Sequence, residues 1–162
     1  NSNRLQLFQQ VVKASGYEGM CGGQALDLAA TNQTISLENL ETLHQLKTGA
    51  LLKASVLMAA DCNPDVLEGD KAHLAEYAHY IGLAYQVRDD IIDITSTEMQ
   101  LGKPSGSDIA SNKSTYPALL GLTGAQKKAD DLYQQALQAL ACLSYNTDNL
   151  SEFATFIIRR TH

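Results

Sequence analysis

The sequence predicts an all-α protein. Apolar residues recur at three- and four-residue spacing almost throughout, no stretch alternates apolar and polar residues convincingly, and glycine and proline are few. With 162 residues and 44% hydrophobic content, the chain is long enough to be read as one all-α domain portion, residues 1–162, around a substantial core.

The elements follow in order. A helical stripe over residues 5–14 stops near Gly16, and the glycines between Gly19 and Gly23 predict a loosened stretch before residues 24–29 resume a helical pattern. Ser36 opens a longer helix, over residues 36–60, on which Leu40, Leu43, Ala50, Leu51, Ala54 and Met58 form one broad face and which Pro64 terminates. A second long helix is predicted over residues 65–93. Gly102, Pro104 and Gly106 among serines make residues 95–115 a loop, of a length that marks an active-site lid. Helices then return: Pro117 suits a first turn after Thr115, Thr123 with Gln126 resembles a capping box, and residues 126–143 and 148–160 complete the set.

Charge and composition exclude several classes. A net charge of −6 argues against nucleic-acid binding, and no apolar run reaches the roughly 18 residues of a membrane span. A phosphorylated ligand would also be repelled, so its binding requires local lysines or metal ions. Cys21, Cys62 and Cys142 are odd in number and show no C-x-x-C pattern, which predicts reduced core thiols in a cytoplasmic protein. The first residues lack a signal-peptide pattern, and Asn1 in place of an initiator methionine suggests that chain is missing upstream.

The chemistry concentrates in Gln86-Val87-Arg88-Asp89-Asp90-Ile91-Ile92-Asp93. At about 100° per residue Asp89 and Asp93 share one helix face, Gln86 lies beside them and Asp90 sits at the edge. Like charges at this spacing repel, so a buried cluster requires counter-charge, and an all-oxygen donor set favours Mg²⁺ over zinc. The plain alternative is a solvated acidic helix end. Ala75, Ala78 and Gly82 continue the same stripe, and these small side chains fit either a substrate groove or close helix packing.

Lys47 is the second anomaly, near the middle of the broad apolar face of residues 36–60. Its stem can snorkel to solvent, or its ammonium can answer a buried anion. Together with Thr48, with Lys103 and Lys113 in the predicted lid, and with the carboxylates, it makes a cage for Mg²⁺ and a diphosphate. The metal must bridge, because carboxylates do not bind phosphate directly.

Five motifs carry a family resemblance: Met20-Cys21-Gly22-Gly23-Gln24-Ala25-Leu26-Asp27-Leu28, Lys47-Thr48-Gly49-Ala50-Leu51, Tyr85 to Asp93, Leu101-Gly102-Lys103, and Asn112-Lys113-Ser114-Thr115-Tyr116-Pro117. In order and spacing the chain resembles the C-terminal half of the trans-isoprenyl diphosphate synthases, most like their bacterial farnesyl diphosphate synthase (geranyltranstransferase) branch. The resemblance implies an all-α bundle around a central cavity, usually homodimeric, which joins isopentenyl diphosphate to an allylic diphosphate with three Mg²⁺ ions. It implies that Asp89, Asp90 and Asp93 form the second aspartate-rich motif, with Asp89 the direct metal ligand and the others acting partly through water. Lys47 and Lys103 would hold the allylic diphosphate, Thr48 and Gln86 would line its site, and Lys113 would stand near the diphosphate. Gly23, Gln24 and Asp27 would shape the cavity wall and support the lysines. Catalysis then rests on Lys47, Asp89 and Lys103.

The departures set limits. The first aspartate-rich motif is absent, so the 162 residues alone are expected to be inactive; Tyr85 stands where phenylalanine is common, and Pro104 follows Lys103. Farnesyl diphosphate is the product that overall similarity implies, with geranyl and geranylgeranyl diphosphate as alternatives. A second class is a di-iron carboxylate bundle, suggested by the E-x-x-H pairs Glu41/His44 and Glu76/His79. A third is a non-catalytic relative, against which the joint retention of Asp89, Asp93, Lys47 and Lys103 argues.

Overall fold

The structure, a computed structural model, describes residues 2–96 and 113–161. The described residues form α1 (Ser2–Ser15), α2 (Met20–Ala30), α3 (Leu37–His44), a π turn (Gln45–Gly49), α4 (Ala50–Cys62), α5 (Glu68–Thr95), α6 (Tyr116–Ala141) and α7 (Asp148–Arg159), with no strand among them. The all-α expectation holds.

Local chemistry sets most boundaries. Ser36 caps α3 by accepting the Asn39 amide at 3.2 Å, and α4 ends at Asn63, in extended conformation before Pro64. Thr115 caps α6 through the Ala118 amide at 3.3 Å, with Pro117 in the first turn. The predicted helix over residues 36–60 is continuous but passes through the π turn that holds Lys47 and Thr48. The expected capping box at Thr123 is not where the chain breaks: the interruption in α6 is at Gly121, whose φ of 71° only glycine adopts freely.

The core is built on α5, a 28-residue helix that packs most extensively against α6 and also against α4, α7 and the π turn. Tyr77, Ile81, Val87 and Ile91 on α5 and Tyr116 at the head of α6 are essentially inaccessible to solvent. Large side chains buried this fully contribute roughly 1.5–3 kcal/mol each in transfer free energy. Tyr77 also donates from its hydroxyl to the Leu150 carbonyl at 2.8 Å, joining α5 to α7.

Two expectations are corrected. The loosened stretch is shorter than expected: it ends with Gly19, in the turn before α2, whereas Gly22 and Gly23 lie buried in α2. A Cβ on Gly23 would stand 2.2 Å from the Lys47 amide nitrogen, so the glycine is there for close approach of α2 to the π turn. The cysteines are not core residues: Cys21, Cys62 and Cys142 are free and exposed, at the first turn of α2, the end of α4 and just past α6.

Candidate active site

The last turns of α5 carry the acidic motif, and its carboxylates are sorted by their neighbours. Asp89 is half exposed, and its Oδ1 lies 3.0 Å from Arg160 Nη2. Asp90 is buried, and its Oδ2 accepts the Tyr116 backbone N–H at 2.9 Å. Asp93 is buried too. Inward-facing acids were expected of Asp89 and Asp93; the structure turns Asp90 inward as well, onto the start of α6.

Facing α5, the π turn presents Lys47 and Thr48. Lys47 Nζ pairs with Asp27 Oδ2 of α2 at 2.6 Å, and Lys113 Nζ approaches the same oxygen at 3.8 Å. Thr48 donates from Oγ1 to Gln86 Oε1 at 2.7 Å, so the two residues assigned to the allylic site lock one another. Asp27, Lys47, Gln86, Asp89, Asp90 and Lys113 all line one polar cavity of about 220 Å³, as do His44, Ser114 and Thr115. Lys103 and most of the predicted lid lie outside the described residues; of residues 95–115, only 95–96 and 113–115 lie within them.

The stripe of small residues on α5 serves close packing. A Cβ on Gly82 would meet the Gly49 Cα at 3.4 Å, so α5 and the π turn are nearly in backbone contact there. A larger, mainly apolar cavity of about 510 Å³ adjoins this contact, walled by Leu46, Gly49, Ala50, Ala54, Leu57 and Leu83.

Asp27, expected to support the lysines, is the carboxylate that gathers both Lys47 and Lys113. Two residues without an assigned role in the sequence reading belong to the site or border it. His44, in sequence only half of an E-x-x-H pair, is buried, lines the polar cavity and lies against Tyr116 with ring centroids 5.6 Å apart and planes tilted by 38°. Burial, reinforced by the Lys47 charge, lowers its pKa to about 4, so its imidazole is neutral at pH 7. Its spacing of three from Lys47 was the available signal. Arg160 gave none, because it lies 71 residues from Asp89 in sequence.

The di-iron alternative fails on these contacts. Glu41 pairs with Lys128 of α6 at 2.7 Å, and Glu76 reaches His73 at 3.4 Å. Among the described residues no three His, Cys, Asp or Glu side chains converge as a cage for a cation. The donor set suits magnesium held in another way. Mg²⁺ commonly takes one or two carboxylates and completes its octahedron with water and ligand oxygens, and Asp89 opens onto a cavity that Lys47 and Lys113 also line.

Comparison with known proteins agrees with this arrangement. The polyprenyl synthetase family model matches residues 1–148. A farnesyl diphosphate synthase from Haemophilus influenzae is 45% identical over 158 residues, covering 97% of this chain and 53% of that protein. The Escherichia coli farnesyl diphosphate synthase is 45% identical over 166 residues, covering 98% of this chain and 54% of the relative. A crystal structure of a Helicobacter pylori geranyltransferase, complexed with magnesium and isoprenyl diphosphate, superposes with a TM-score of 0.82 at 32% identity, covering 98% of this chain and 52% of that one. The chain thus spans about half the length of the relatives it matches. A match over most of its length, on the helices that build the cavity, makes this chain a member of the polyprenyl synthetase family.

Proposed function

We propose that residues 1–162 are the C-terminal half of a trans-isoprenyl diphosphate synthase, joining an allylic diphosphate head-to-tail to isopentenyl diphosphate, with farnesyl diphosphate the favoured product and geranyl or geranylgeranyl diphosphate the alternatives. The observation that carries this reading is that Asp89, Lys47 and Lys113 line one polar cavity together. A magnesium-bound diphosphate needs this pairing of charges: carboxylate for the metal, ammonium for the phosphate oxygens.

Magnesium, three ions in the complete enzyme, would supply Lewis-acid neutralisation of the departing diphosphate, with Asp89 as the direct ligand and Asp90 and Asp93 contributing charge and water-mediated contact. The chain's own residues do the rest. As the allylic C–O bond breaks, its electron pair leaves with the diphosphate, and Lys47 and Lys113 stabilise the growing negative charge; the resemblance adds Lys103. Thr48 and Gln86, fixed by their mutual hydrogen bond, hold the shape of the allylic site. The mainly apolar cavity beyond Gly49 and Leu83 gives the carbocation and its prenyl chain aliphatic side chains to lie against while the isopentenyl double bond attacks. Proton loss to the released diphosphate then gives a product one isoprene unit longer, with inorganic pyrophosphate.

Exposed Leu5, Phe8 and Val12 on α1 and Leu28 on α2 leave apolar surface for further protein, which supports completion by the other half of the bundle and assembly as a homodimer. No described helix is long and apolar enough to cross a membrane, in keeping with a cytoplasmic location.

Calorimetric titration with inorganic pyrophosphate tests the reading. Binding should require Mg²⁺ and vanish in Asp89→Ala. Binding indifferent to Mg²⁺, or none at all, overturns it. Prenyl transfer by the 162 residues alone would refute the need for the other half.

A further inference from the structure

Adjacent carboxylates in an acidic motif invite the assumption that they share a task, but the environments of Asp89 and Asp90 differ sharply. Asp89 opens to the cavity and is half exposed, whereas Asp90 is buried with Oδ2 on the Tyr116 amide at 2.9 Å. That amide belongs to the first residue of α6, at the positive end of the helix dipole, where a carboxylate is favoured.

The residues just before α6 are held at several further points. Thr115 caps the helix. Ser114 Oγ donates to the Gln33 carbonyl at 3.1 Å and accepts the Ile35 amide at 3.1 Å, fixing the segment to the turn between α2 and α3. Tyr116 is wholly buried against the His44 ring. Lys113 hangs from this frame, with its ammonium 3.8 Å from Asp27 Oδ2 at the cavity wall. Of these attachments, only the one through Asp90 ties the frame to the acidic end of α5.

We infer that Asp90 is a positioning residue whose carboxylate anchors the start of α6 to α5, so that Lys113 is held in register with Asp89 across the cavity. The motif then divides its labour: one carboxylate faces the ligand and its neighbour fixes the distance to the opposing cation. The inference rests on the proposed function for what Lys113 binds, but the anchor itself stands on the Asp90–Tyr116 contact.

The test uses the full chain and the variants Asp90→Asn, Asp90→Ala, Asp89→Asn, Lys113→Gln and the double variant Asp90→Ala/Lys113→Gln. Hydrogen exchange at the Tyr116 amide reads the anchor, Mn²⁺ titration reads the metal site, and Mg²⁺-dependent pyrophosphate binding reads Lys113. Asp90→Ala should speed Tyr116 exchange and weaken pyrophosphate binding, each by about tenfold, as expected for loss of a buried hydrogen bond to a charged group. Asp90→Asn, which keeps an acceptor oxygen, should restore both to within about threefold and weaken Mn²⁺ binding far less than Asp89→Asn does, since it removes charge near the metal but not its direct ligand. The double variant should bind pyrophosphate no more weakly than the worse single variant, since both changes act through one ammonium. Unchanged Tyr116 exchange in Asp90→Ala, additive losses in the double variant, or loss of Mn²⁺ by Asp90→Asn equal to that of Asp89→Asn would each overturn the assignment. Should Asp90→Ala not fold, Asp90→Asn against Asp89→Asn decides it. If the unaltered chain binds no pyrophosphate, the proposed function falls, while the amide exchange still judges the anchor.

Discussion

Arg160, one residue beyond α7, lays its guanidinium 3.9 Å above the centre of the Tyr85 ring and sets Nη2 3.0 Å from Asp89 Oδ1. The contact is braced from behind: Arg88 donates from Nε and Nη2 to the Arg160 carbonyl at 2.9 and 2.8 Å, and Arg160 Nη2 also reaches the Tyr85 carbonyl at 3.2 Å. A cation of the protein's own thus neutralises the residue proposed to hold the metal.

Replacing Arg160 therefore has opposite effects on stability and metal affinity. Arg160→Gln should lower stability by about 1–2 kcal/mol through loss of the cation–π and ion-pair contacts. It should raise Mn²⁺ affinity severalfold by removing the competing charge. Thermal unfolding without metal and Mn²⁺ titration by electron paramagnetic resonance check the two effects, and a fall in both quantities would contradict the competition.

Asp89→Ala removes the carboxylate that opens to the cavity. Turnover of the complete enzyme should fall by at least about a hundredfold, because the metal that neutralises the leaving group loses its direct ligand. Asp89 is half exposed, so the fold should survive. Steady-state rates beside far-ultraviolet circular dichroism test this, and near-normal turnover would remove Asp89 from its assigned role.

Glycine positions give a contrast in stability. Gly23→Ala places a methyl 2.2 Å from the Lys47 amide nitrogen, against backbone that cannot yield cheaply, and should destabilise by about 3 kcal/mol or more. At Gly69 nothing lies within 4 Å, and Gly69→Ala in the first turn of α5 should stabilise by about 0.5 kcal/mol. Urea denaturation of both variants measures the difference.

His44 makes stability depend on pH. Its pKa falls from 6.5 in the unfolded chain to about 4 in the folded one, so between these values the unfolded chain binds the extra proton. Stability is then fully present above pH 6.5 and declines as pH falls toward 4, by at most about 3 kcal/mol from this group. His79, lowered mainly by burial, acts in the same direction. Denaturation between pH 7 and 4.5 should show a shallower slope in His44→Gln than in the parent.

The helices were legible because an apolar stripe is a local property of the chain, and so were the residues whose chemistry jars with that stripe, Lys47 and Asp89 above all. Gly22 and Gly23 were misread because a glycine signals permissive backbone without naming the neighbour it admits, here the amide of Lys47. Thr123 looked like a cap by spacing, but the adjacent Gly121 can take a positive φ and broke the helix first. The anchoring of Asp90 on Tyr116 and the closure of Arg160 on Asp89 join residues 26 and 71 apart, distances over which periodicity carries no information. The cysteines were misplaced because residue type alone does not say which face of a helix end meets solvent.

The π turn at Gln45–Gly49 carries one residue more than the α geometry on either side would need. Deleting one residue there would let α3 and α4 rewind into one uniform rod with nearly the same relative angle, because four residues at about 100° each turn the chain about as far as five in the wider coil; what disappears is the wide turn that presents Lys47 and Thr48. The placement of the lysine is thus stored as a count of residues in a single coil of backbone.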